Sequence, residues 1–305
     1  MNAIILSTGR PVTCYPLTCA RLLSECNIAN MSLLDAQLAR LAAAGLKPVA
    51  RPAAGRMTCF VRGESWLSGN CAMALARARV PTVLVKGNRT LAWVGLAGKP
   101  PVGAARVKAD AGTFEIIYPW DLLRINEELV GSLRVSVIKG DVSPHAHVHG
   151  KVMVGPGSRI LPGVFIEGNV VIGSHVRVGP NCYIRGSTSI GDSCHIGQAV
   201  EIKNCIIMSH TNIGHLSYCG DSILGERVNL GAGTITANFR HDGCEHRSLV
   251  VGQLVGTGRR KFGTVIGDGV HTGIHTAIYP GRKIWPAMTT CPGEIVRQDL
   301  GGSLE

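Results

Sequence analysis

Val170-Val171-Ile172-Gly173-Ser174-His175-Val176-Arg177-Val178-Gly179-Pro180-Asn181-Cys182-Tyr183-Ile184 places an aliphatic residue at every sixth position: Ile172, Val178, Ile184. The beat runs upstream through Val142, Val148, Val154, Ile160 and Ile166, and downstream through Ile190, Ile196 and Ile202. The position four residues after each is also small or apolar: Ala146, Val152, Ser158, Val164, Val170, Val176, Cys182, Thr188, Cys194, Val200 and Ile206. A spacing of six fits neither a strand nor a helix, whose side chains repeat every 2 and 3.6 residues. Two inward positions per hexad, with Gly, Asn, Asp, Pro and Ser between them, describe short strands joined by tight turns around a narrow core. Three hexads close one triangular turn, and the turns stack as coils.

After Ile202 the beat slips once, to Ile207, Ile213, Cys219, Leu224 and Leu230. It stops between Thr236 and Gly263 and returns at Ile266, Thr272, Ile278, Ile284 and Thr290. A break in a stacked repeat is where a loop leaves the stack, and such excursions often form the binding face. This one runs from Asn238-Phe239-Arg240-His241-Asp242-Gly243 to Gly258-Arg259-Arg260-Lys261 and is the most basic part of the chain.

The first 118 residues of the 305 read as a small α/β domain. Ala3-Ile4-Ile5-Leu6 is a buried-type strand, ended by Gly9-Arg10-Pro11. Ser32-Leu33-Leu34-Asp35 is a capping pattern opening a helix that Gly45 closes, and Cys71 to Arg79 reads as a second helix. Val83-Leu84-Val85 and Leu91-Ala92-Trp93-Val94 read as strands joined by a Gly87-Asn88 turn. Pro119-Trp120-Asp121 opens a helix running to about Val130, so residues 119–134 link this domain to the coils of 135–305.

Composition bounds the function. Only 17% of residues are charged and 5% aromatic, and the 31 Lys and Arg are scattered rather than run together. The net charge of +11 therefore suits small anions better than nucleic acid, so no nucleic-acid partner is expected. No apolar run is long enough for a membrane span and the start lacks a signal peptide's basic flank, so the sequence predicts no membrane partner and a cytoplasmic protein. Eleven cysteines, an odd number without a CxxC pair, read as free thiols in a reducing compartment, with Cys182 and Cys194 as small core residues. His145, His147 and His149 alternate without acidic or cysteine partners and read as surface, so no metal is expected.

Polar residues gather between Arg185 and Arg260. Arg185 and Lys203 are 18 apart, one coil, so both can face one spot, and two cations there suit a phosphate. His215 is close enough in sequence to act as a general base beside them.

The block Gly214-His215-Leu216-Ser217-Tyr218, then Gly220-Asp221, then Val228-Asn229-Leu230-Gly231-Ala232-Gly233-Thr234-Ile235-Thr236-Ala237-Asn238-Phe239, resembles the acetyltransferase half of the bifunctional sugar-1-phosphate nucleotidylyltransferase/glucosamine-1-phosphate acetyltransferase family. With the hexads, the resemblance runs from about Ile138 to Val296. It implies a left-handed parallel β-helix that forms a homotrimer with sites between subunits and moves acetyl from acetyl-CoA to the amine of an amino-sugar 1-phosphate. It further implies that Arg185 and Lys203 hold the phosphate, His215 takes the amine's proton, and Tyr218 and Asn229 position the sugar. The resemblance likewise implies that Ala232 lies along the pantetheine and Asn238 near the acetyl group. His246 or Arg247 stands in for the family's loop cation, and Arg259, Arg260 and Lys261 lie on the cofactor side in an insertion like that of an archaeal-type branch. Phe239 replaces a common tyrosine, which leaves substrate choice open.

The start of the chain looks like an eroded nucleotidylyltransferase. Its glycine loop is short, Ala20-Arg21 occupies the region after Pro16-Leu17-Thr18 where that family has a lysine, and no aspartate pair offers a metal site. Without a loop of backbone N–H groups to cradle phosphates, nucleotidyl transfer is expected to be absent. Two readings stand beside acetyl transfer to an amino sugar: a CoA-dependent acyltransferase with another acceptor, and a non-catalytic structural or ligand-binding trimer.

Overall fold

The computed structural model describes residues 1–302. Residues Met1–Arg10, Arg21–Cys26 and Met31–Ile117 make one compact unit, and Pro11–Ala20, Asn27–Asn30 and the chain from Tyr118 make the other.

The second unit is a left-handed parallel β-solenoid with three flat faces. The first face is an eight-stranded sheet from Val137–Ile138 to Lys283–Ile284; the second has six strands, from Asp141–Val142 to Asn229–Leu230. The third has eight, from His147–His149 to Ile295–Val296. Val152 pairs with Val170, and Ile166 with Ile184, one 18-residue coil on. The beat positions Val154 through Ile202 are at most 2% exposed and join one continuous core. Burying each such side chain contributes roughly 1.5–3 kcal/mol, so the repeat itself holds the prism together. Cys182 and Cys194 fill inward positions, and burial pushes their thiols up to about 11 and about 12.

The coil departs from the simple beat in three places. Val142, Ala146 and Val148 are only partly buried, because the first coil has a neighbour on one side alone. At the slip, Cys205 and Ile207 join the solenoid core, while Ile206, only 1% exposed, is buried outside that cluster. The beat slips twice rather than once. Ile190 pairs with Ile207 and Ile207 with Leu224, two successive coils of 17 residues, because Cys219 to Leu224 drops a residue just as Ile202 to Ile207 does. Beyond the excursion, Leu224 pairs with Ile266, and the 18-residue coil returns with Ile266 against Ile284. Inside the excursion, Arg247–Val250 and Gln253–Gly256 form an antiparallel hairpin.

A helix, Pro119–Gly131, covers part of the first face. Its buried Asn126 donates from Nδ2 to the Ser187 carbonyl, and its Oδ1 accepts from Ser189 Oγ at 2.8 Å and from Ala29 N at 2.8 Å. Val130 packs against Val171 beside them.

In the first unit, a six-stranded mixed sheet runs Lys47–Pro48, Asn2–Ile5, Thr58–Val61, Arg89–Gly95, Thr82–Lys86, Ala105–Lys108. The helices are Leu33–Ala43, capped by Ser32 Oγ on Asp35 N at 3.0 Å, and Gly69–Ala76, capped by Ser68 Oγ on Cys71 N at 3.1 Å. The hairpin expected at Gly87-Asn88 is present, with Gly87 at φ 57°. All eleven cysteines are thiols outside any disulfide, and no described helix is long and apolar enough to cross a membrane.

Candidate active site

Arg185 and Lys203 end successive strands of the third face and lie directly opposite one another in register. Both point away from the core because each follows an inward residue, Ile184 or Ile202. They are not a bare pair of cations. Arg185 donates to Glu201 Oε1 from Nε at 3.0 Å and Nη2 at 2.6 Å, and its guanidinium lies 5.1 Å from the centre of the Tyr183 ring. The Glu201 hydrogen bond holds the Arg185 pKa above its ordinary value. Lys203 Nζ lies 2.9 Å from Asp221 Oδ2. The expected phosphate site is therefore two ion pairs, with no net charge of its own.

The two pairs differ. Arg185 and Glu201 leave 36% and 34% of their side chains exposed, whereas Lys203 and Asp221 leave 20% and 3%. The first can exchange partners with an incoming anion, while the second is fixed by burial.

Tyr218 and Asn238 join Lys203. Asn238 Nδ2 lies 3.0 Å from Tyr218 Oη and 2.6 Å from Asp221 Oδ2. Burial, and then the Asp221 charge, pushes the Tyr218 phenol up to about 12, so it keeps its proton near neutrality. Gly220 makes room for this cluster, since a Cβ there would overlap Tyr218 Oη and Asn238 Nδ2. Asp221 was quoted in the sequence block but given no role. The one-coil partner of Lys203 is Gly220, 17 residues on, so Asp221 sits one residue past that register position and no regular spacing pointed to it.

His215 lies apart from this cluster, at the end of a strand of the second face. The corner Leu216-Ser217 separates it from the Tyr218 strand of the third face, and its side chain is exposed rather than sealed in a core. Along this corner Gly233 N donates to the His215 carbonyl at 3.1 Å and His275 N to the Ala232 carbonyl at 2.7 Å. His215 and Ala232 are therefore stacked one coil apart. Asn229 is exposed at the start of a second-face strand, paired with Asn212, and is not beside Tyr218 within one chain.

The excursion sorts its residues differently from the sequence expectation. His246 is 2% exposed, with Nε2 3.0 Å from the Asn238 carbonyl, and burial lowers its pKa. It braces Asn238 from behind and does not face outward as a loop cation would. Arg259 is held by Glu127 of the Pro119–Gly131 helix, and Arg260 Nε donates to the Gly243 carbonyl at 3.0 Å. Arg259 is therefore ion-paired, with most of its side chain buried. Lys261 is exposed and sits opposite Phe239 in an antiparallel bridge, which puts it next to Asn238. Arg247 lines a separate cavity of about 640 Å³ with Phe239, Tyr279, Arg282 and Arg297. Tyr279 and Arg297 went unread in the sequence, although their 18-residue spacing stacks them on successive coils.

Among the described residues, no group of three or more His, Cys, Asp and Glu could hold a metal ion. The arrangement can hold an anion, present a protonated phenol and a carboxamide, and offer an exposed imidazole across one corner.

Residues 166–287, inside the coils, match the family model of the GMPPB C-terminal domain. A bifunctional sugar-1-phosphate nucleotidylyltransferase/acetyltransferase of Sulfurisphaera tokodaii is 40% identical over 183 residues, which are 60% of this chain and 46% of that protein. The bifunctional protein GlmU of Methanococcus maripaludis is 48% identical over 170 residues, 56% of this chain and 41% of that one. GlmU of Methanocaldococcus jannaschii is 39% identical over 166 residues, 54% and 40% of the two chains. The chain thus spans less than half the length of these curated relatives. What it shares with the bifunctional sugar-1-phosphate nucleotidylyltransferase/acetyltransferase family is the C-terminal acetyltransferase portion.

Proposed function

We propose that the coils form an acetyl-CoA-dependent N-acetyltransferase whose acceptor is the amine of an amino-sugar 1-phosphate or a related amino sugar. The observation that carries this reading is the gathering of Lys203 and Asn238 on Asp221, with Tyr218 on Asn238, beside Arg185 and with an exposed His215 across the corner. A phosphate displaces Glu201 from Arg185, the exposed pair, and is held there and by the remaining N–H donor of Lys203. Tyr218 and Asn238 orient the sugar. Ala232, between Gly231 and Gly233, adds no more than a methyl group beside His215, which leaves a track for a thin thioester arm.

In the step itself the neutral amine nitrogen attacks the thioester carbonyl carbon and His215 takes the nitrogen's proton. The C–S bond then breaks and the departing sulfur takes the proton back from His215, leaving the amide and the CoA thiol, and no acetylated residue is needed. Asn229 lies on the second face, away from Tyr218, and this supports a homotrimer in which neighbouring copies complete each site. Lys261, opposite Phe239, takes the place of the loop cation on the acceptor side, in preference to the buried His246 and to Arg247. We assign no nucleotidyl transfer to the first unit, whose strand Asn2–Ile5 leads into a short loop ending at Gly9-Arg10-Pro11.

The test is thiol release from acetyl-CoA with a panel of amino-sugar phosphates, run beside His215→Ala. Turnover with one amino sugar and its loss in the variant is the expected result. No turnover with any of the panel refutes this acceptor class, and equal turnover in the variant removes His215 as the base.

A further inference from the structure

We infer that Asp221 is a positioning residue of this site, holding Lys203 and setting which way the Asn238 amide faces. This rests on the proposed function for its kinetic consequences, but not for its geometry. Asp221 is 2% exposed, and its carboxylate is filled. Oδ1 accepts from Lys203 Nζ at 3.2 Å and from Asn204 Nδ2 at 3.0 Å; Oδ2 accepts from Lys203 Nζ at 2.9 Å and from Asn238 Nδ2 at 2.6 Å. An ionised carboxylate can only accept, so it draws the NH₂ end of Asn238 inward. Tyr218 Oη, 3.0 Å from the same nitrogen, agrees with that orientation. Asn238 Oδ1 has no hydrogen-bond partner among the described residues, and it is left as an acceptor for a donor on the substrate, such as an amine N–H.

The same carboxylate reaches the helix. Asn204 Nδ2 also donates to Glu127 Oε1 at 2.6 Å, and Glu127 in turn holds Arg259 of the excursion. Asp221 is thus the point where the third face, the excursion and the Pro119–Gly131 helix are tied together. Its charge has an opposite effect on anion binding. It lies against Lys203 and offsets the attraction Lys203 has for a phosphate.

These two effects separate in Asp221→Asn, which keeps the shape and removes the charge. The full chain is titrated with inorganic phosphate by calorimetry, and kcat and KM are measured with the best acceptor of the panel. The expected result is a cooperative melt, phosphate affinity raised several-fold, and kcat lowered about tenfold or more without a rise in KM. A phosphate affinity that falls, stays unchanged or is absent from both proteins overturns the inference, as does an unchanged kcat. If the parent protein turns over no acceptor, the proposed function fails while the phosphate titration still decides the role of Asp221. Should Asp221→Asn not fold, Asn238→Leu tests the same contacts without touching the buried charge pair. It is expected to lose kcat and keep its phosphate affinity. Full kcat, or phosphate affinity lost along with kcat, overturns the inference.

Discussion

The coils from Val152 to Ile202 and those from Lys203 to Arg282 are built from one repeat and differ in how they break it. The lower coils hold an 18-residue register without exception, and their inward residues are part of one continuous core. The upper coils lose a residue twice and then admit the excursion. All of Asp221, Tyr218, His215 and Asn238 lie in the irregular part, while Arg185 reaches up from the last regular coils. A strict repeat offers identical environments on each coil, and a catalytic site needs unlike groups at one place. The shortened coils and the excursion supply that difference, and the regular coils supply the rigidity beneath it.

The division predicts that the two parts fail in different ways. His215→Ala is expected to lower kcat by roughly 10²–10⁴-fold, the usual contribution of a general base, with no shift in the unfolding midpoint because the side chain is exposed. Steady-state kinetics beside a denaturant titration measures both. A large loss of stability in this variant would erase the contrast.

Ile184→Ala in the regular stack is expected to do the reverse. Ile184 is 0% exposed, and truncating such a core residue to alanine costs about 2–5 kcal/mol. Denaturant unfolding reads the loss, while kcat per folded molecule is expected to hold. An active-site defect larger than the stability defect would mean that the lower coils are not mere support.

Gly220→Ala falls between them. The added methyl group overlaps Tyr218 Oη and Asn238 Nδ2, and overpacking of this kind costs about 1–3 kcal/mol. Because the overlap is with the site rather than the core, kcat is expected to fall more than the melting temperature implies. A variant with full kcat would show that Tyr218 and Asn238 need not be held together.

Much of this contrast was legible in the sequence, and what was not has physical causes. Ile172, Val178 and Ile184 revealed the coil because a hexad has one geometric solution and every inward position repeats it. The slip at Leu224 passed unnoticed because a spacing of five still leaves an aliphatic residue near the expected place. Ile206 and Ile207 are both buried and both satisfy hydrophobicity, and only the register decides which joins the solenoid core. Arg185 and Lys203 were placed correctly by their spacing, but their neutralisation by Glu201 and Asp221 was not foreseen. Spacing tells which residues stack; it does not tell which neighbour a charge will choose. The resemblance casts His246 as a candidate loop cation and Arg259 as a cofactor-side residue, whereas the excursion folds back so that one is buried and the other is ion-paired to a helix.

The smallest expected effect tests the exposed half of that charge arrangement. Glu201 competes with an incoming phosphate for Arg185, so Glu201→Gln should lower KM for the acceptor by a few-fold while leaving stability within about 1 kcal/mol, as for surface ion pairs. The change is in binding, since the amide still accepts from the guanidinium but no longer neutralises it. Raising the salt concentration should shrink the difference between the two proteins, because screening weakens the same attraction that the substitution exposes. If KM instead rises, Glu201 holds Arg185 in place more than it blocks it. In that case the two ion pairs of the third face act alike, despite the difference in their burial.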